Sequence, residues 1–340
     1  MFIVACPSCG GNSYESLGIL NGIALEKCAC SLVRQRLTAE EIDGVEDREK
    51  ALYGHEWVLN RRSVGWIFRH QARQRVRLMK KYRTSGRILE VGCGTGEFLV
   101  AARNAGFDST GVELSKPTAD YVRLSCGIPV HCGTLEEFHP DKGFDVIALF
   151  HVLEHMKDPY TLLQQAIKLA SPDAIFLITV PNIESWSVKF LPRSWGVMYK
   201  DHLYYFSRTT LSGLLRRVGL KCLKAFSYEV KEGWFYNVFE NFYGDRVRSF
   251  VWGLKSRAQA NVPTSPVAPL PSPQAGVYPR DWDLLRKGFV WAAVLSGYPT
   301  FPLRYLQGKV GGGSEVTVVA QNDGGMPAIG KAPLDMDGGK

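Results

Sequence analysis

Nowhere does this chain hold an apolar run, free of charge, for the ~20 residues a helix needs to cross a bilayer. Its first residues show no basic stretch leading into an apolar core. The expectation from both absences is a protein that acts from the cytoplasm. Cysteine is scarce, at 8 in 340 residues, and nothing in its placement suggests a disulfide framework. A phosphate clamp of the form G-x-x-x-x-G-K-[ST] is missing as well. Charge is modest, 22% of residues against 45% apolar, so the bulk must fold around a core. The length is generous for one core and leaves room for additions.

What is present begins with Arg87-Ile-Leu-Glu-Val-Gly-Cys-Gly-Thr-Gly-Glu-Phe-Leu99, an apolar β-rich run entering a loop with Gly92, Gly94 and Gly96. Glycine lets backbone approach a ligand where a Cβ would clash, and a helix expected over Glu97 to Ala105, closed by Gly106, points unpaired amides at the bound group. A dinucleotide loop wants G-x-G-x-x-G; here the third slot is Glu97 and the glycine falls one residue early. Glu113 lies about twenty residues on, at the end of a second strand over Ser109 to Val112, where it can accept hydrogen bonds from two ribose hydroxyls. The implied ligand has a ribose but no phosphate.

Glu90-Val-Gly-Cys-Gly-Thr-Gly96 followed by Gly111-Val-Glu113 resembles the class I S-adenosylmethionine-dependent methyltransferases, over roughly residues 86–230. The resemblance implies a cofactor site of Glu90, Gly92, Gly94, Gly96, Glu113, Leu114, Thr134, Leu135, Phe150 and His151. Thr134 and Leu135 would meet the adenine edge, although aspartate is commoner where Thr134 stands. The rest of the segment alternates strand and helix, as a doubly wound α/β sheet requires. Further strands are expected over Ile128 to Cys132, Phe144 to Phe150, Ala174 to Val180 and Leu220 to Tyr228, most of them apolar runs suited to burial on both faces. Helices are expected over Pro159 to Ala170, and from the cap Ser207 to Gly219. A last strand, Glu315 to Ala320, completes a Rossmann-like, seven-stranded sheet, and the resemblance implies that it runs antiparallel beside the sixth.

Residues 1–35 carry Cys6-Pro-Ser-Cys9 and Cys28-Ala-Cys30, paired on two turns a hairpin apart. Such pairs can place Cys6, Cys9, Cys28 and Cys30 tetrahedrally around a structural zinc ion, whose binding would supply the folding energy of so small a knuckle. A lapsed knuckle and a redox pair are the alternatives. The stretch is similar to the zinc-ribbon leader of many bacterial methyltransferases, except that its second pair is C-x-C, which strains the turn. Cys93, Cys126, Cys132 and Cys222 read as buried small hydrophobes.

A basic helical linker follows, over 36–85. Arg61 to Arg83 holds nine basic and no acidic residues, with Phe68, Ala72, Val76, Met79 and Tyr82 at helical spacing. It reads as an amphipathic helix packed on the core, whose outer face could attract anionic lipid or nucleic acid. Between the methyltransferase core (86–230) and the last strand (315–320) lies a helical insertion, 231–314. It contains a linker with six prolines over Asn261 to Arg280, and an uncharged aromatic segment, Phe289 to Leu303, bracketed by Arg286, Lys287 and Arg304. Residues 289–303 read either as a segment lying on a membrane surface or as a lid over the substrate. The tail 321–340 reads as disordered.

The acceptor should sit beyond the carboxyl ends of the strands. Phe150-His-Val-Leu-Glu-His155, Pro181-Asn182 and Lys200-Asp-His-Leu-Tyr-Tyr-Phe-Ser207 fall there. His155 and His202 are the candidates to take a hydroxyl proton, with structural hydrogen bonding as the alternative for each. Both stretches resemble segments of ubiquinone-pathway O-methyltransferases and their small-molecule relatives. The resulting expectation is methyl transfer to a hydroxyl of a lipid-linked, saccharide or quinone-like acceptor. RNA methylation and a non-catalytic cofactor-binding scaffold are the alternatives. Against nucleic acid stand the absence of [DNS]-P-P-[FY] after the fourth strand and of a prolyl-cysteine pair.

Overall fold

The computed structural model describes residues 5–20, 22–45, 47–48, 53–63, 65–190, 201–228 and 311–322. The expectations for the linker 261–280, the segment 289–303 and the tail from 323 onward lie outside the described residues.

The chain opens with three antiparallel strands, β1 (Tyr14–Leu20), β2 (Ile23–Cys28) and β3 (Val33–Gln35), then α1 (Ala39–Asp43), α2 (His55–Ser63) and α3 (Gly65–Met79). The main unit follows as β4 (Arg87–Val91), α4 (Glu97–Arg103), β5 (Asp108–Glu113), α5 (Lys116–Tyr121), β6 (Val130–Cys132), β7 (Phe144–Phe150), α6 (Pro159–Lys168) and β8 (Ala170–Pro181). After α7 (Trp186–Phe190) and the two-residue β9 (Tyr204–Tyr205) come α8 (Arg208–Arg217), β10 (Leu220–Tyr228) and β11 (Glu315–Asn322).

Seven of the strands form one sheet in the order β10-β11-β8-β7-β4-β5-β6. Pairing from β8 through β7, β4 and β5 to β6 is parallel, while β11 is antiparallel to both of its neighbours. This is the doubly wound sheet expected, with its inserted last strand. Alternate residues feed two cores: Leu89, Ile147, Leu149, Phe176 and Ile178 pack on one face with α6 and α8. Ile88, Val146, Ala148, Ile175 and Leu177 pack on the other with α3 and α4. Strands covered on both sides show the continuous apolar runs that marked them in the sequence.

Several boundaries move for local reasons. β6 starts at Val130 because Pro129 has no N–H to give the ladder, although its carbonyl still accepts from Gly111 N at 2.9 Å. α6 ends at Lys168 and β8 begins at Ala170, where Phe144 pairs with it. The basic stretch forms two helices, α2 and α3, and starts before Arg61. Among the scattered cysteines Cys93 is buried, but Cys222 is exposed, because it lies on β10 at the sheet edge.

The described residues among the first thirty-five share the main core. β3 pairs with β9, giving a second sheet in the order β1-β2-β3-β9, and Cys6, Cys28 and Leu32 pack in one cluster with Leu153, Phe206, Leu211 and Leu214. No helix among the described residues is long and apolar enough to cross a membrane.

Candidate cofactor and acceptor site

The parallel strands aim their carboxyl ends at one edge of the sheet, and there the turn after β4 bends back under β5. Gly92, Gly94 and Gly96 take φ values of 66°, 52° and 76°, a left-handed region that side chains disfavour. Among the described residues a Cβ on Gly94 would have as its near neighbour only the rim of Trp57, at 3.4 Å, so the glycine leaves a shallow cradle beneath the indole. Glu113, the last residue of β5, closes one side of it. Its Oε2 accepts from Gly94 N at 2.9 Å and its Oε1 from Ser115 N at 3.0 Å.

Helices α2 and α3 roof this cradle, and the loop before them is tied down where Ser115 Oγ and Thr118 Oγ1 donate to Tyr53 O at 2.7 and 2.8 Å. Arg61 stacks over Phe68 at 3.7 Å and Arg75 over Phe150 at 4.0 Å. Arg61 Nε makes no hydrogen bond among the described residues and stands 3.7 Å from Glu97 Oε2. Glu90 is 5% exposed and its Oε2 has no hydrogen-bond partner among the described residues. Burial drives its carboxyl well above the usual range, against the pull of Arg75. A buried acid and a half-buried guanidinium, each with a polar atom that makes no hydrogen bond among the described residues, match the ammonium and carboxylate of an α-amino acid. The donors and acceptors present therefore fit a nucleoside that carries an amino-acid tail. Arg61 and Arg75 were not among the sequence candidates, yet Arg75 lies between Ala72 and Met79 on the buried stripe of its helix, where a charge signals an inward partner.

The remaining sequence candidates are placed as follows. Leu114 is half-buried beside Glu113, whereas Leu135 is buried in the core cluster. Thr134 N donates to Glu137 Oε2 at 2.8 Å. Phe150 is buried edge-on against Phe98, with Arg75 above it.

Beside the cradle, at the end of β7, His151 has a φ of 59°. Its Nδ1 lies 3.2 Å from Glu154 Oε1 and its Nε2 lies 3.3 Å from Glu315 Oε1. Tyr228 OH donates to the other Glu315 oxygen. Burial would lower the His151 pKa, but the two carboxylates outweigh it and raise it from 6.5 to about 9. Glu315 is likewise opposed by burial and held down at about 2 by His151, Arg75 and Tyr228. Glu315 opens the antiparallel β11, opposite Pro181, so it stands at the same edge as the ends of β7 and β8.

His155 and His202 are brought together, ring centroids 4.6 Å apart and edge to face. They are 8% and 6% exposed, and their ligand atoms lie within 4.8 Å of a Glu154 carboxylate oxygen. The imidazole with an open side is thus His151, at 35% side-chain exposure. Asn182 is buried and structural, its amide donating to Gly311 O at 3.0 Å and Gly313 O at 2.7 Å.

Close to Leu153 and Phe206 the four knuckle thiols gather. Cys6 Sγ is 3.5 Å from Cys30 Sγ and Cys9 Sγ is 3.5 Å from Cys28 Sγ, with all four within 4.8 Å of one another. A disulfide would need about 2.05 Å, whereas the edges of a zinc tetrathiolate built on ~2.3 Å bonds are about 3.8 Å. The shortened second turn closes by placing Ser31 at φ 72°. Burial pushes the Cys6 thiol up to about 11.

Residues 63–225 match a family described as a methyltransferase domain. A ubiquinone biosynthesis O-methyltransferase of Actinobacillus pleuropneumoniae is 31% identical over 108 residues, 28% of this chain and 46% of that protein. A protein of Mycolicibacterium smegmatis, described as an S-adenosylmethionine-dependent methyltransferase, is 28% identical over 163 residues, covering 46% and 59%. The chain therefore spans about half the length of these curated relatives. A solved Thermotoga maritima methyltransferase shares 23% identity over 55% of this chain and 85% of its own, with a TM-score of 0.43. Strand order, glycine turn and family match together identify residues 63–225 as a methyltransferase domain of the class I S-adenosylmethionine-dependent type.

Proposed function

We propose that this chain transfers the methyl group of S-adenosylmethionine to a hydroxyl of a small molecule that is lipid-linked, saccharide or quinone-like. The observation that carries the reading is the position of the Glu113 carboxylate at the end of β5, held by Gly94 N and Ser115 N against the left-handed glycine turn, where it would meet two ribose hydroxyls. Glu90 and Arg61 would hold the amino-acid end of the cofactor. When bound, S-adenosylmethionine supplies an electrophilic methyl group, and the protein supplies position and water exclusion.

On the acceptor side we assign the oxygen to His151. Its pKa of about 9 keeps it an imidazolium at neutral pH, with no lone pair to take a proton. Its part is to donate to an oxygen that ionises readily, which favours a phenol-like or enol-like hydroxyl over an ordinary alcohol. His155 and His202, more deeply buried, support Glu154 behind it. Zinc in the Cys6, Cys9, Cys28 and Cys30 knuckle is part of the same reading. So is action from the cytoplasm, with residues 289–303 meeting the inner membrane face.

The test is incubation of the purified protein with labelled S-adenosylmethionine and fractionated lipid, saccharide, quinone and RNA extracts. Label in a small-molecule fraction supports the reading. Label in RNA would favour the exposed basic residues of α3, Arg69, Arg73 and Arg77, as a nucleic-acid surface. Tight cofactor binding with no labelled fraction would favour a scaffold.

A further inference from the structure

The zinc knuckle sits on the acceptor side of the sheet, and its strands continue into the segment that carries His202. β3 begins three residues after Cys30, and pairs Val33 with Tyr205 and Arg34 with Tyr204. Gln35 completes the tie: its backbone N donates to Leu203 O at 2.9 Å and its Nε2 to His202 O at 2.7 Å. The held segment then grips the other side of the site, because Leu203 N and Tyr204 N both donate to Glu154 O, at 2.6 and 3.1 Å. Glu154 in turn lies against His151, and His202 against His155. The first cysteine turn is anchored to the same region, with Arg217 Nη1 donating to Cys6 O at 3.3 Å and Pro7 O at 3.1 Å, and Ser8 Oγ donating to Thr210 O.

The glycine turn is held by other bonds: Gly94 N and Ser115 N donate to Glu113, and Ser115 Oγ donates to Tyr53 O. The described hydrogen bonds of the knuckle thus reach the acceptor half, although its core cluster also contains Val91 and Val112. We propose that the folded zinc knuckle positions the acceptor half alone, with Gln35 as the positioning residue through which it sets His202, His155 and Glu154. The inference rests on the zinc reading above. A buried amide that holds a neighbouring strand by its main-chain carbonyl fixes that strand's register and, with it, the side chains it carries.

The experiment follows the imidazole signals of the full-length protein, labelled with nitrogen-15 histidine, by long-range proton–nitrogen correlation. Zinc is removed with a chelator, and S-adenosylhomocysteine affinity is measured in parallel. The expected result is that the His155 and His202 signals move while cofactor affinity stays within about twofold, as for a distant site. Gln35→Leu, with its zinc content verified, moves the His202 signals in the same way. Unmoved histidine signals after zinc loss would overturn the proposal. So would a purified protein that holds no zinc, or loss of cofactor binding together with the metal. Failure of the wild-type protein to bind S-adenosylhomocysteine would instead count against the methyl-transfer reading, and is read separately from the histidines.

Discussion

His151 and Glu315 face each other from strands 164 positions apart in sequence, and their pairing makes the site's charge sensitive to pH. Because the His151 pKa is raised from 6.5 to about 9, its stabilising contribution is complete below about 6.5 and is lost as pH rises through about 9. Glu315 is depressed from 4.5 to about 2, so its contribution is present above about 4.5 and lost as pH falls through about 2. The difference in melting temperature between the wild type and Glu315→Gln should therefore peak between about pH 4.5 and 6.5 and shrink above about 9. In the same variant the His151 titration, followed by proton NMR, should fall back toward 6.5; an unchanged midpoint would remove Glu315 as its partner. Residues of this kind divide sharply in how far the sequence disclosed them. The placement of Glu113 at a strand end and of the glycines in one turn was legible because it follows from local spacing. Glu315 was hidden by an antiparallel register that composition does not encode.

Helix α8 is the element on which the two halves of the chain meet. Ser207 caps it through the Thr210 amide, its buried Leu211, Leu214 and Leu215 face the sheet, and the first knuckle turn rests on Thr210 and Arg217. Leu214→Ala would empty a fully buried site and cost about 2–5 kcal/mol, measurable by urea unfolding; a loss under about 1 kcal/mol would show the helix to be loosely packed. If the knuckle holds the proposed zinc, Cys28→Ser should lower both zinc content and melting temperature, and equal melting with and without zinc would contradict that. Helices and central strands such as α6, α8 and β7 were readable because burial imposes their period. β9 was not, since two residues carry no period and it exists only by pairing with β3. The first four residues of β8 were missed because they are exposed or half-buried and show no apolar run.

At the scale of the whole molecule, a doubly wound sheet puts the glycine turn and the ends of β7 and β8 at one edge, with α2 and α3 over the turn and the four cysteines beside Leu153 and Phe206. The outward arginines of α3 give the roof a cationic surface that faces away from the site. If residues 289–303 meet lipid, the full chain should float with anionic vesicles at low salt and be released as salt rises. Recovery in the soluble fraction at every ionic strength would argue against that segment as an anchor. All of these features presuppose that the glycine turn and Glu113 hold the nucleoside. The direct measurement is calorimetric titration of the purified protein and of Glu113→Ala with S-adenosylhomocysteine. The wild type should bind one equivalent, and the variant should lose at least about tenfold in affinity, the low end for removing hydrogen bonds to a charged group. Equal binding by both proteins, or no binding by the wild type, would contradict the assignment.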